Sequence, residues 1–88
     1  MSAFALQTSP AADRTLERLP GAVAAAIVEF ITGPLLDDPY RIGKPLREPY
    51  AGLYCARRGA YRAMYQVREP GLVLVVRIDH RADIYRPR

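Results

Sequence analysis

The side chains able to do chemistry in this 88-residue chain are few and of narrow type. One cysteine, Cys55, and one histidine, His80, cannot by themselves assemble a structural zinc site. The serines, Ser2 and Ser9, both fall at the N-terminal end, and any Ser or Cys nucleophile would have only His80 as its base. Carboxylates are dispersed or sit beside arginines, unlike the clusters that metal-dependent nucleases need. Gly33, Gly43, Gly52, Gly59 and Gly71 are scattered and form no phosphate-cradling loop. Arginine, tyrosine and one histidine remain as the reactive set, and neither a metal nor a cofactor is expected.

That set suffices for one reaction. RNA can be cut without a metal when its own 2′-hydroxyl attacks the adjacent phosphate. The protein then needs to take a proton, stabilise the phosphoryl oxygens and protonate the leaving 5′-oxygen. Arginine suits the second task through its forked hydrogen bonds. Tyrosine, with a free pKa near 10, is a poor base unless neighbouring cations favour the phenolate, whereas histidine titrates close to neutrality.

The charge distribution points the same way. The chain carries 13 Lys+Arg against 9 Asp+Glu, a net +4. The excess lies in residues 45–88, where nine arginines face Glu48, Glu69, Asp79 and Asp83. Such asymmetry suits a phosphate-rich or acidic partner, although an Arg-rich, Lys-poor composition produces it without any partner. A lone cysteine cannot form an internal disulfide. The opening MSAFALQTSP lacks a basic start and a long apolar stretch, and the uncharged stretch Leu19–Val28 is too short to span a bilayer. A cytoplasmic location with no membrane partner is therefore expected.

These residues must be positioned by one domain, residues 1–88. Phe4 and Leu6 alternate with smaller neighbours as a first strand. Ser9-Pro10 reads as N-cap and N1 of a helix that carries Leu16 and Leu19 inward, broken at Pro20-Gly21. Val23, Ile27, Phe30 and Ile31 make one apolar stripe over Ala22–Thr32, stopped by Gly33-Pro34. Residues 35–49, rich in proline, read as an irregular connection. Three strands follow, over Gly52–Arg57, Ala60–Arg68 and Leu72–Asp79, the last two joined by a turn at Glu69-Pro70-Gly71. Leu72, Leu74, Val76 and Ile78 are expected on one side of the last strand, and His80–Arg88 as a short strand or a tail.

The expected fold class is α+β: an N-terminal strand, an αα-hairpin, then an antiparallel sheet of three to four strands with the helices on one face and the other face open. If Tyr61, Ala63, Tyr65 and Val67 meet the helices, Arg62 points from the open face. Whether Arg57 joins it depends on a register left unfixed. Cys55 reads as a small apolar filler, and Arg86 and Arg88 as tail.

The runs GLYCARRGAYRAMY (52–65) and HRADIYR (80–86), together with DRTLERLP (13–20) and GKPLR (43–47), resemble the RelE toxins of the RelE/ParE superfamily in the expected order over nearly the whole chain. The resemblance implies a type II toxin-antitoxin toxin. Such a toxin is an mRNA endonuclease acting in the ribosomal A site by metal-independent 2′-hydroxyl attack, and it inhibits translation. It further implies a RelB-like antitoxin and a toxin-antitoxin complex that binds operator DNA. By position, Arg62 and Arg81 match arginines that hold the scissile phosphate, with Arg81 also a leaving-group acid, and Tyr85 matches the base for the 2′-hydroxyl. Arg57 and Cys55 stand where the family has lysines, so one cation is missing unless Arg58 supplies it. His80 also replaces a lysine and stands open between sharing proton transfer and belonging to a turn. Lys44, Arg47 and Arg58 read as RNA contacts or plain surface. Two other readings stay open: a ParE-like non-catalytic toxin that binds DNA gyrase, and a toxin fold that has lost activity.

Overall fold

The first helix begins where the sequence sets a cap. Ser9 Oγ accepts a hydrogen bond from the Ala12 amide (3.1 Å) and donates one to the Val76 carbonyl (2.6 Å), tying the helix start to the sheet. The protein is described here by a computed structural model covering residues 3–85; Arg86 and Arg88 lie outside the described residues. Its elements are β1 (Ala5–Thr8), α1 (Pro10–Arg18), α2 (Gly21–Thr32), α3 (Pro34–Asp37), α4 (Pro39–Ile42), β2 (Lys44–Pro45), β3 (Tyr54–Arg58), β4 (Tyr61–Arg68) and β5 (Leu72–His80). The strands form one sheet in the order β1-β5-β4-β3-β2. The expected antiparallel arrangement holds from β2 to β5. β1 pairs parallel with β5, Leu6 against Val73 and Thr8 against Val75, so the whole sheet is mixed.

The apolar stripe of α2 is seated as its spacing requires. Ile27 and Ile31 are buried, with Val23 and Phe30 partly buried beside them, against Ala56, Ala63, Tyr65, Val73, Val75 and Ile78 of the sheet. Burying one such aliphatic side chain contributes about 1.5–3 kcal/mol. The segment expected to be irregular is more ordered than its composition suggests. Pro34 and Pro39 each occupy the first turn of a one-turn helix, and Leu35 and Leu36 enter the core.

Two features correct the sequence reading. The first is a bulge in β5. Met64 pairs with Arg77 and Tyr65 with Val75, leaving Val76 without an opposite residue. Side-chain parity reverses there. Val73, Val75 and Ile78 face the helices, and Leu72, Leu74, Arg77 and Asp79 share the opposite face with Arg68, Gln66, Met64 and Arg62. The expected set Leu72, Leu74, Val76 and Ile78 is therefore not one face. The second is the sheet face expected to be open. Residues 81–85 turn back after β5, Ile84 is fully buried outside the main core, and Arg77 holds the Asp83 carbonyl, so the C-terminal turn covers part of that face.

Gly59 has φ +62° in the two-residue link between Arg58 and Tyr61, a left-handed position that glycine takes without strain. This tight hairpin locks β3 to β4. Gly43 is needed for close approach. A Cβ there would collide with the Tyr65 hydroxyl and lie 2.9 Å from the Cys55 carbonyl oxygen. The Tyr65 hydroxyl donates to the Pro39 carbonyl at 2.6 Å, and burial pushes its pKa up to about 12. Among the described residues no helix is long and apolar enough to cross a membrane.

Candidate active site

The β3–β4 hairpin settles the register left open by periodicity. Arg57 pairs directly with Arg62, and Cys55 with Met64; on the other side of β3, Lys44 pairs with Cys55. Directly opposed residues on antiparallel strands share a face with Cβ atoms about 4.5–5.5 Å apart. Lys44, Arg57 and Arg62 thus stand on three adjacent strands of the face turned away from the helices. They line a cavity of about 610 Å³ together with Ile42, Pro45, Leu46, Cys55, Ala56 and Tyr85.

Like charges set opposite one another repel, and Asp79, which stands opposite Arg62 on β5, offsets that repulsion in part. Among the described residues, Arg62 Nε is the only buried side-chain nitrogen or oxygen without a hydrogen-bond partner. A buried donor left unmade costs about 1–3 kcal/mol, a cost that the Arg62 side chain carries in the free protein.

Tyr85 closes one side. The residue is 42% exposed, while its hydroxyl end lies against the Cys55 thiol and the Arg62 guanidinium. Partial burial raises the phenol above its ordinary value and Cys55 raises it further, with Arg62 opposing them. At neutral pH the group is a neutral phenol, a hydrogen-bond donor. Cys55 therefore belongs to the cavity wall and does not act as filler in the core.

The site residues expected from sequence divide into two groups. Arg57, Arg62, Tyr85 and Lys44 come together. His80 does not join them, since it pairs with Tyr61 on the helix-facing side of the sheet and meets that ring edge-on at 5.6 Å. Its Nδ1 accepts from the Ala82 amide at 3.2 Å, the role of a turn residue. Arg58 pairs with Tyr61 on that same side and is exposed. Arg81 is exposed in the C-terminal turn and Arg47 in the loop between β2 and β3, and neither lines the cavity. Tyr50, which carried no signal in its proline-rich stretch, proves to touch the site. Its hydroxyl donates to the Tyr85 carbonyl at 3.0 Å and the two rings lie 5.4 Å apart. Among the described residues no group of three or more His, Cys, Asp or Glu side chains gathers to hold a metal ion.

A mixed sheet backed by a helical hairpin, with a basic cavity on its free face, is the architecture of a family of small toxins. The family described as ParE toxins of the type II toxin-antitoxin system parDE matches residues 6–85. The chain belongs to the RelE/ParE superfamily and is a toxin of a type II toxin-antitoxin system. It is 46% identical over 84 residues to toxin RelG of Mycobacterium tuberculosis, covering 94% of this chain and 97% of that one. It is 49% identical over 76 residues to toxin RelE of the same organism, covering 85% of this chain and 78% of that one. The crystal structure of the toxin-antitoxin complex RelBE2 from M. tuberculosis superposes with a TM-score of 0.85 at 41% identity, covering 90% of this chain and 99% of that chain.

Proposed function

We propose that this toxin is a metal-independent endoribonuclease that cuts mRNA at codons in the ribosomal A site and so inhibits translation. The observation that carries the reading is the opposed pair Arg57 and Arg62, with the Arg62 Nε buried and unpartnered beside the Tyr85 hydroxyl. A scissile phosphate placed there would receive forked hydrogen bonds from both arginines, with Lys44 adding charge at the rim. The substrate 2′-oxygen attacks phosphorus and the bond to the 5′-oxygen breaks, leaving a 2′,3′-cyclic phosphate and a 5′-hydroxyl. The arginines stabilise the added charge on the phosphoryl oxygens as the transition state forms.

Tyr85, held as a neutral phenol, donates a proton to the leaving oxygen, while the 2′-hydroxyl proton passes to solvent. The base role implied by the family resemblance requires a phenolate, which a phenol with a pKa of 10 or more offers at about one part in a thousand or less near pH 7. Arg81 lies on the same C-terminal turn and is assigned to RNA contact outside the cavity, with Arg47 and Arg58 contributing general affinity. An 88-residue chain leaves much of the positioning of mRNA to the ribosome. The partners on this reading are the ribosome, mRNA and a RelB-like antitoxin, whose complex with the toxin binds operator DNA in the cytoplasm.

The match to ParE toxins favours one second reading, a non-catalytic toxin that binds DNA gyrase. One experiment separates the two. The protein is induced in growing bacteria, mRNA 5′ ends are mapped and DNA breaks are measured. Codon-phased cuts that disappear with Arg62→Met and Tyr85→Phe support the endoribonuclease. Intact messages with accumulating double-strand DNA breaks overturn it in favour of gyrase.

A further inference from the structure

Tyr85 sits in the turn that follows β5 and is partly exposed. A side chain so placed keeps a fixed direction only if the backbone beneath it is held. Two side chains from other elements hold it. Arg77 on β5 spends its guanidinium on two acceptors: Nε donates to Asp79 Oδ2 at 2.5 Å, and a terminal nitrogen donates to the Asp83 carbonyl at 2.7 Å. The Arg77 and Asp79 side chains are 17% and 7% exposed, so this fork is shielded from solvent screening. Tyr50, from the loop between β2 and β3, donates to the Tyr85 carbonyl and packs its ring against the Tyr85 ring. Between these bonds Ile84 is fully buried.

We infer that Arg77 and Tyr50 are positioning residues for Tyr85, gripping the main chain on either side of buried Ile84 so that the phenol is delivered to the cavity of Arg57 and Arg62. Arg77 does not line that cavity, so its contribution passes through the turn. The inference rests on the endoribonuclease reading of the site. Lysine in place of Arg77 keeps the charge beside Asp79 but cannot span to the Asp83 carbonyl as well, because an ammonium lacks the planar fork. A displacement of the order of 1 Å at a reacting group costs about a hundredfold in rate.

The test uses the full-length toxin, translating ribosomes carrying a defined mRNA, and single-turnover cleavage. Arg77→Lys and Tyr50→Phe are each expected to slow cleavage by roughly ten- to a hundredfold with ribosome affinity changed less than about twofold. In a Tyr85→Phe background neither substitution slows the reaction further, because the group they position is gone. Unchanged rates for both single variants, effects that multiply in the Tyr85→Phe background, or a loss of affinity in place of rate would each overturn the assignment. Tyr50→Phe removes one bond at a surface position, so it carries the comparison if Arg77→Lys does not fold. A fully active Tyr85→Phe protein would instead remove the reading of the site itself, which separates that failure from this one.

Discussion

Replacing Arg62 with methionine should make the free toxin more stable while abolishing its response to anions. Methionine keeps the unbranched stem and deletes the guanidinium. Two terms bear on the stability of the free protein. Arg57 and Arg62 stand directly opposite on β3 and β4, and like charges so placed cost about 0.2–1 kcal/mol, which Asp79 opposite Arg62 on β5 offsets by a similar amount. The buried Arg62 Nε has no partner, and such a donor costs about 1–3 kcal/mol. Methionine is the shorter side chain and packs less surface than the arginine stem, which leaves a net gain of about 1–2 kcal/mol. For a domain of this size each kcal/mol moves Tm by about 4–8 °C, so Arg62→Met should melt about 4–16 °C higher in low-salt buffer. Phosphate should act differently on the two proteins. It stabilises the unsubstituted toxin by about 2.7 kcal/mol at a hundred times its Kd and leaves Arg62→Met nearly unmoved. Scanning calorimetry with phosphate titrated against chloride at constant ionic strength measures both. A lower Tm for Arg62→Met, or an undiminished phosphate response, would show that the arginine pair is satisfied within the fold and is no anion site.

Further outcomes follow from the same structure. Gly43→Ala should cost about 1–3 kcal/mol in chemical denaturation, and less in a Tyr65→Phe background, where the hydroxyl its Cβ would strike is absent. Tyr65, raised to about 12 from an ordinary 10, ionises later in the folded than in the unfolded chain. Stability should therefore hold below pH 10 and fall by about 2–3 kcal/mol as pH rises to 12, a loss that Tyr65→Phe removes from the alkaline unfolding curve. Ser9→Ala should lower stability by about 1–2 kcal/mol, since one side chain both caps α1 and bonds β5. Because the Tyr85 phenol is raised, cleavage should vary little with pH through the neutral range; a rate climbing about tenfold per pH unit would mark Tyr85 as a base.

What the sequence made legible followed from local chemistry. The Ser9-Pro10 cap, the α2 stripe and the alternation of Tyr61, Ala63, Tyr65 and Val67 each rest on a few neighbouring residues, and each is found as read. The Arg57–Arg62 register was not legible, because the expected strand ends at Arg57 and Ala60 leave Arg58-Gly59 as the link, whereas the link is Gly59-Ala60 and pairs Arg58 with Tyr61. The same register puts His80 opposite Tyr61 and so away from the arginines, which motif position alone did not reveal. Other features had no local signal. LVLVV at the start of β5 is apolar at every position, so alternation cannot mark where parity changes. Tyr50 reaches Tyr85 across 35 positions of sequence, a contact made only once the loop and the C-terminal turn are both in place.

The unpaired Val76 bears on how this chain tolerates changes in length. Up to that residue β5 follows one alternation; beyond it, the order of apolar and charged side chains is written in the opposite phase. Deleting Val76 would erase the bulge, leaving Val75 toward the helices and Arg77 on the cationic face with every cross-strand pair kept, whereas deleting Ile78 would carry Arg77 or Asp79 under the helices. A deletion in the turn at residues 69–71 would only shorten a connection. The fold should thus accept a single-codon loss at Val76 and reject one at Ile78. A scan of single-residue deletions along β5, scored by soluble yield, would find its tolerated position at Val76.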